Sequence, residues 1–358
     1  MNARGQADFS VSFDVRPGSV AASFSLTVLP GLLFLQLKRI GDAVLTAPAL
    51  GALRQAMPEA RITLVLAGAA GELGPLFAAA DEVLVWRSGG LNLSLLRRLR
   101  ELKPDMVLDF TGTDRSAMLS LMSGAPVRAG YGKFADSFLR RLACTVTCQA
   151  PVREMHTIDF HHALAVSACP ALPEVPDAGH LALPAGLELP DLPAGYLLVH
   201  PGTAREEKFW PPGHWAALLD HLHAGHGLPP VLTGGDWDFE QKHIGDILSG
   251  TRAPVVNLRG KLSLRQLAGL IAGARLAVTV DTAAMHLAAA FQVPQIALFG
   301  PTNPFHWAPR HAGAVVLQSG VEEGAVLKPK QTGAPMDQLP WETVAAAAGR
   351  LLRSEGSR

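Results

Sequence analysis

Short apolar runs recur along the chain, each followed by a stretch with helical spacing. In the first half LLFLQL, ARITLVLA, EVLVW and DMVLDFTG alternate with a helix ending near Met57 and with the helical LSLLRRLRELK. Continuous runs of this length suit strands buried on both faces, and their alternation with helices predicts parallel βαβ units. From Cys169 to Pro193 the stretch is Pro-rich with almost no periodicity, which predicts a linker. The rhythm then restarts. YLLVHPG, PPVLTGG, VVNLRG, RLAVTVDT and PQIALFG alternate with HWAALLDHLHAG, FEQKHIGDIL, SLRQLAGLIAGA and AAMHLAAAFQ. Ser263 and Gln266 stand at capping-box spacing, which fixes the start of one helix. The pattern therefore predicts an α/β protein with two doubly wound, Rossmann-like domains. The expected divisions are a poorly ordered extension over 1–28, a first domain over 29–170, a linker over 171–194 and a second domain over 195–336. The final segment, 337–358, is a helix expected to pack back across the interface.

At 358 residues the chain exceeds the usual ceiling for one hydrophobic core, in keeping with two domains. Lys plus Arg number 31 and Asp plus Glu number 31, which removes the electrostatic case for a nucleic-acid partner or a strongly basic membrane-surface protein. Any anionic ligand must be held locally. Cys144, Cys148 and Cys169 are odd in number and lack paired CxxC spacing, so they are expected to be ordinary packing residues of a reducing compartment. Pro17 to Leu37 is uncharged and nearly long enough to span a bilayer. Four Ser or Thr residues, Pro30 and Gly31 interrupt it, however, and its most apolar part, LLFLQL, behaves as a buried strand.

Open α/β sheets bind ligands beyond the carboxyl ends of their strands, and two such domains joined by a linker create a cleft lined by those ends. The candidate residues fall there. Asp42 follows LLFLQL, where a carboxylate can cap a helix, meet a ligand or accept a proton. Asp281 and Thr282 end another strand, with His286 one turn into the next helix; its free amides suit a diphosphate, while the alternative is two caps and a packed histidine. Lys208, in KFWP, can neutralise phosphate oxygens or be solvated, and Thr203 can add a hydroxyl donor to the same phosphates. Asp236 or Glu240 can accept hydrogen bonds from a ribose or cap a helix. Asp236, Trp237 and Asp238 match the DxD pattern of some metal-dependent sugar transferases, but they lie between a strand and helix of a second α/β domain and lack convergent acids, so no metal is expected. His156, His161 and His162 lie on a helix near the linker, in structural or acceptor-facing roles. GxSxG, HExxH, P-loop and GxGxxG patterns are absent, leaving hydrolase, zinc protease, nucleoside triphosphatase and simple dehydrogenase readings without support.

Four blocks, IGDAVLTAPALGALRQAMPEARITLV, VHPGTAREEKFWPPGHWAALL, LRGKLSLRQLAGLIAGARLAVTVDTAAMHLAAA and VPQIALFGPTNP, resemble the heptosyltransferases of glycosyltransferase family 9. The similarity runs from about Leu32 to Leu352 and includes RAGYG and MDQLPWETV. It implies the GT-B architecture, two Rossmann-like domains facing across a cleft, and an inverting, metal-independent transferase without a cofactor. The implied partners are a nucleotide-sugar donor, ADP-heptose, and an inner-core lipopolysaccharide acceptor at the membrane surface. The implied location is cytoplasmic, with peripheral attachment to the inner membrane. Carried over by match, Asp42 would be the base, Lys208 a diphosphate ligand, and Asp281, Thr282 and His286 the lining of the donor site. The chain departs from the family in GVEEGAVLKPKQTGAPMDQL, which has no cysteine. Two other readings remain: a GT-B enzyme for another nucleotide sugar, an epimerase included, and a non-catalytic nucleotide-sugar-binding protein. Asp42 together with Lys208 and Asp281 argues against the second.

Overall fold

A computed structural model describes residues 13–15, 31–90, 92–167, 169–170, 172–174 and 180–355. The chain divides into two compact units, Met1–Pro176 and Asp177–Arg358. The break falls within the stretch whose periodicity lapses.

Unit 1 holds strands β1 (Phe13–Val15), β2 (Gly31–Gln36), β3 (Arg61–Ala67), β4 (Glu82–Trp86), β5 (Met106–Asp109), β6 (Val127–Tyr131) and β7 (Val146–Cys148). Its helices are α1 (Ile40–Val44), α2 (Ala47–Ala56), α3 (Leu93–Leu102), α4 (Asp114–Met122), α5 (Phe138–Ala143) and α6 (Thr157–Ala165). The sheet order is β1-β7-β6-β5-β2-β3-β4. All neighbours are parallel except β1, which runs antiparallel to β7 with Asp14 opposite Thr147. The strand order reverses between β2 and β5. Leu33, Leu35, Val65 and Val107 of the central strands meet Leu99 of α3 and Leu119 of α4 in one core. Within the extension expected over 1–28, the structure describes Phe13–Val15 as a strand. A three-residue strand is too short to show a period, and it forms because it covers the edge that β7 would otherwise leave open. The rest of that extension lies outside the described residues.

Unit 2 holds β8 (Leu197–His200), β9 (Pro230–Leu232), β10 (Val256–Asn257), β11 (Leu276–Val280), β12 (Gln295–Phe299) and β13 (Ala314–Gln318). Its helices are α7 (Pro212–His226), α8 (Asp238–Gly250), α9 (Leu264–Ala272), α10 (Ala283–Ala290) and α11 (Trp341–Glu355). The order β10-β9-β8-β11-β12-β13 is parallel throughout and reverses between β8 and β11. Strand β13 was not expected, because only a single turn at Pro304–His306 stands where an alternating pattern would place a helix. The Ser263–Gln266 capping box forms at the start of α9. Helix α11 packs within unit 2 against α7 and β12, burying Val344, Ala347 and Ala348.

Candidate functional site

Both reversals of strand order concentrate chemistry, since loops leaving two adjacent strands in opposite directions open a crevice at the strand ends. In unit 2 the loops are those after β8 and β11. The chain leaves β8 at His200, passes the buried Thr203 and makes a single turn over Glu206–Lys208. The two residues after Lys208 anchor this loop. Phe209 stacks on His243 at 4.1 Å between ring centroids, and Trp210 is wholly buried, edge-on to Trp215 at 4.9 Å. The Trp210 indole Nε1 donates to the Leu339 carbonyl at 2.8 Å.

Held in this way, the Lys208 ammonium lies 2.6 Å from Asp281 Oδ2 and 3.4 Å from the Asp281 carbonyl. Their side chains are 13% and 12% exposed, so the pair is largely shielded from water. An ammonium carries three protons, and the Asp281 carboxylate and carbonyl take two, leaving a third for another oxygen ligand. Thr282 is the N-cap of α10 with extended backbone, but its hydroxyl makes no capping hydrogen bond. The helix therefore starts with amides that no side chain satisfies, beside a fixed lysine. His286 is buried one turn into α10.

Glu240 sits in the first turn of α8, where Oε1 accepts the Gly235 amide at 2.6 Å. Burial first, and the nearby Asp236 charge as well, raise its pKa, while the Gly235 amide opposes them. A Cβ at Gly202 or Gly235 would collide with the Glu240 carboxylate. These glycines let the strand ends close on the acid. We expect Gly202→Ala to cost about 1–3 kcal/mol as an overpacked site. A denaturant midpoint would read this, and an unchanged midpoint would show that Glu240 is not held there. Of the two nucleoside candidates, Glu240 is buried and seated, whereas Asp236 is exposed. Asp238 and Trp237 are exposed beside it, and among the described residues no three His, Cys, Asp or Glu side chains are grouped to hold a metal ion.

In unit 1 the loop after β2 carries Asp42 in the first turn of α1, whose N-cap is Arg39. Asp42 is therefore not the cap, and its carboxylate makes no hydrogen bond to another described residue. Its main chain is tied down instead. Gln36, Thr46 and His161 are buried beneath it. Gln36 Nε2 donates to Thr46 Oγ1 at 3.0 Å and reaches the Asp42 carbonyl at 3.4 Å. Thr46 Oγ1 donates to the Asp42 carbonyl at 2.9 Å. His161 Nδ1 lies 3.2 Å from the Leu45 carbonyl and 3.4 Å from Thr46 Oγ1, and burial lowers its pKa to about 3, so the ring is neutral at cellular pH. On the other side of the loop, the Leu37 amide donates to Thr111 Oγ1 at 2.8 Å. Asp109 in turn accepts the amides of Thr111 and Gly112 and the Ser116 hydroxyl. Two of the three histidines take structural parts: His156 caps α6 through the Ile158 amide, and His161 joins this network. Sequence reasoning missed Gln36 and Thr111. A glutamine inside the apolar LLFLQL was the available signal, because a polar side chain in a strand buried on both faces needs a partner.

The sequence profile of glycosyltransferase family 9 (heptosyltransferase) matches residues 92–334. Lipopolysaccharide heptosyltransferase 1 of Pseudomonas aeruginosa is 31% identical over 293 residues, covering 76% of this chain and 79% of that protein. Among solved structures, the glycosyl transferase family 9 from Veillonella parvula has a TM-score of 0.75 at 24% identity, covering 91% of this chain and 97% of its own. E. coli heptosyltransferase WaaC with ADP has a TM-score of 0.72 at 22% identity, covering 89% and 99%. These likenesses give the fold as GT-B, two Rossmann-like units in one chain. With the profile spanning more than half of its length and a relative above 30% identity along most of it, the chain belongs to glycosyltransferase family 9, the heptosyltransferases.

Proposed function

We propose that this chain transfers heptose from ADP-heptose, with inversion, to an inner-core lipopolysaccharide acceptor. The observation that carries the reading is the Lys208–Asp281 pair beside the start of α10, at the strand-order reversal of unit 2. Solved relatives hold ADP and ADP-2-deoxy-2-fluoro heptose, and the curated relatives are named as lipopolysaccharide heptosyltransferases.

In this reading Asp42 takes the proton of an acceptor hydroxyl while its oxygen attacks the anomeric carbon from the face opposite the diphosphate. The new C–O bond forms as the sugar–phosphate bond breaks, and ADP leaves. Negative charge growing on the diphosphate meets Lys208 and the amides of α10, with Thr203 and Thr282 supplying hydroxyls and His286 lining the site. Asp281 orients the lysine, and Glu240 or Asp236 accepts from the ribose. A glycolipid acceptor places the reaction at the cytoplasmic surface of the inner membrane. In this reading attachment to the membrane is peripheral; among the described residues no helix is long and apolar enough to cross a membrane.

Incubation with ADP-heptose and truncated lipopolysaccharide acceptors, read by mass spectrometry, is expected to add one heptose. Transfer from a different nucleotide sugar only would overturn the donor assignment, and binding without transfer would favour a non-catalytic protein. Gln36→Leu is expected to cost about 1–3 kcal/mol through unsatisfied buried groups. It should also slow transfer roughly tenfold with donor affinity unchanged, since the network it breaks touches Asp42 and no donor ligand. A parallel loss of donor affinity would show that the effect is general unfolding.

A further inference from the structure

Among the described residues of unit 1, four large apolar side chains are exposed: Leu93 and Phe138 strongly, at 66% and 75%, and Met118 and Leu142 less so. All four lie on α3, α4 and α5. These helices connect β4 to β5, β5 to β6 and β6 to β7, which advance in one direction across the sheet, so right-handed crossovers put them in one layer. Consistent with that, α3 packs on α4 and α4 on α5. Single exposed apolar residues need no explanation, but their confinement to one helical layer does.

The charges of the same layer point to what it meets. The three helices carry six arginines, Arg97, Arg98, Arg100, Arg115, Arg140 and Arg141, against two acids, Glu101 and Asp114, in a chain that is balanced overall. Arg98 is drawn inward to Glu82, and Arg140 to Asp114 and Asp136. Arg97 pairs along α3 with Glu101 at 2.7 Å and Arg115 lies over the Trp86 ring, and Arg97, Arg100, Arg115 and Arg141 all remain exposed to solvent. On α3, Leu95 and Leu99 are buried, whereas Leu93, Leu96, Arg97, Arg100 and Lys103, with one acid, Glu101, line a shallow concavity with Met122. Apolar side chains interleaved with Arg and Lys on one helical face are what the boundary of an anionic bilayer takes: the apolar groups enter below the headgroups and the cations pair with them. A second copy of the chain would bring two net-positive faces together, and an anionic polymer would leave the exposed leucine and phenylalanine unused.

We propose that the outer face of the α3–α4–α5 layer docks on an anionic lipid bilayer. The assignment deepens the reading of a glycolipid acceptor, on which it rests for its setting. In the docked state Leu93, Met118, Phe138 and Leu142 insert, and Arg97, Arg100, Lys103, Arg115 and Arg141 face the headgroups.

Flotation of the full chain with vesicles of phosphatidylethanolamine and phosphatidylglycerol tests this, with phosphatidylcholine vesicles as the neutral control. Binding is expected to the anionic vesicles only and to weaken with salt. Arg97→Glu with Arg100→Glu, and separately Leu93→Ser with Phe138→Ser, should each lower the bound fraction tenfold or more at an unchanged melting temperature. Both double variants should transfer sugar normally to a deacylated, soluble acceptor. Wild-type chain that ignores anionic vesicles, variants that float like wild type, or a dimer that dissociates on Leu93→Ser would overturn the proposal, as would nucleic-acid binding through the same arginines without vesicle binding. If vesicle binding behaves as expected while no sugar reaches the soluble acceptor, docking stands and the proposed transfer falls.

Discussion

Asp42→Ala is expected to lower turnover by roughly 10²-fold or more while donor affinity stays close to wild type, because a general base acts on the acceptor and contributes chiefly in the transition state. The geometry sharpens the expectation. Arg39 holds the N-cap position of α1, so Asp42 supplies no cap. An acid in a first helical turn still gains roughly 0.3–1 kcal/mol from the helix dipole, which bounds the stability loss. Calorimetric titration with ADP and single-turnover rates on the same preparation would read both quantities, and Asp42→Asn would repeat the test with the shape retained. Near-normal turnover accompanied by a clear loss of stability would remove Asp42 from the chemistry.

Lys208→Ala is expected to move two parameters together. Its ammonium would contact a diphosphate that is anionic when bound and gains charge on leaving. Losing a hydrogen bond to a charged group costs about 1.5–3 kcal/mol, or roughly ten- to a hundredfold in donor affinity, with a further loss in turnover. The substitution also strands the Asp281 carboxylate, which is 12% exposed. Breaking a buried pair costs about 3–5 kcal/mol when burial is complete, and this partly exposed pair should cost less. A melting curve therefore accompanies the binding measurement. In the proposed mechanism Lys208 and α10 meet the charge without a metal, so EDTA should leave wild-type activity unchanged and magnesium should not rescue the variant. Chelator-sensitive activity would sink that mechanism. Unchanged donor affinity in a folded Lys208→Ala would take the lysine out of the diphosphate site.

Much of the frame was legible along the chain. Continuous apolar runs and helical spacing are local properties, so LLFLQL, ARITLVLA, RLAVTVDT and PQIALFG became β2, β3, β11 and β12 where the pattern put them. Capping at Ser263 is equally local, since its partner stands three residues away. Strand ends could be named in advance as the place for chemistry because parallel α/β topology directs ligands there. That rule singled out Asp42 and Asp281 as candidates, and Lys208 came from its loop.

What the chain could not announce was which distant groups would meet. Lys208 and Asp281 are 73 residues apart, and Thr46 and His161 are 115 apart. Local spacing carries no information about either pairing, which follows from the order in which the strands assemble. β1 escaped notice because three residues have no readable period, and it exists only through the edge of β7. β13 escaped because a turn replaces the helix that an alternating pattern anticipates. Sequence by itself determined most of the elements and set the candidate residues at strand ends. Tertiary structure alone decided that Lys208 is paired with Asp281, that His161 closes under the Asp42 loop against Thr46, and that Thr111 holds the Leu37 amide, because each of these depends on contacts closed by folding across long loops.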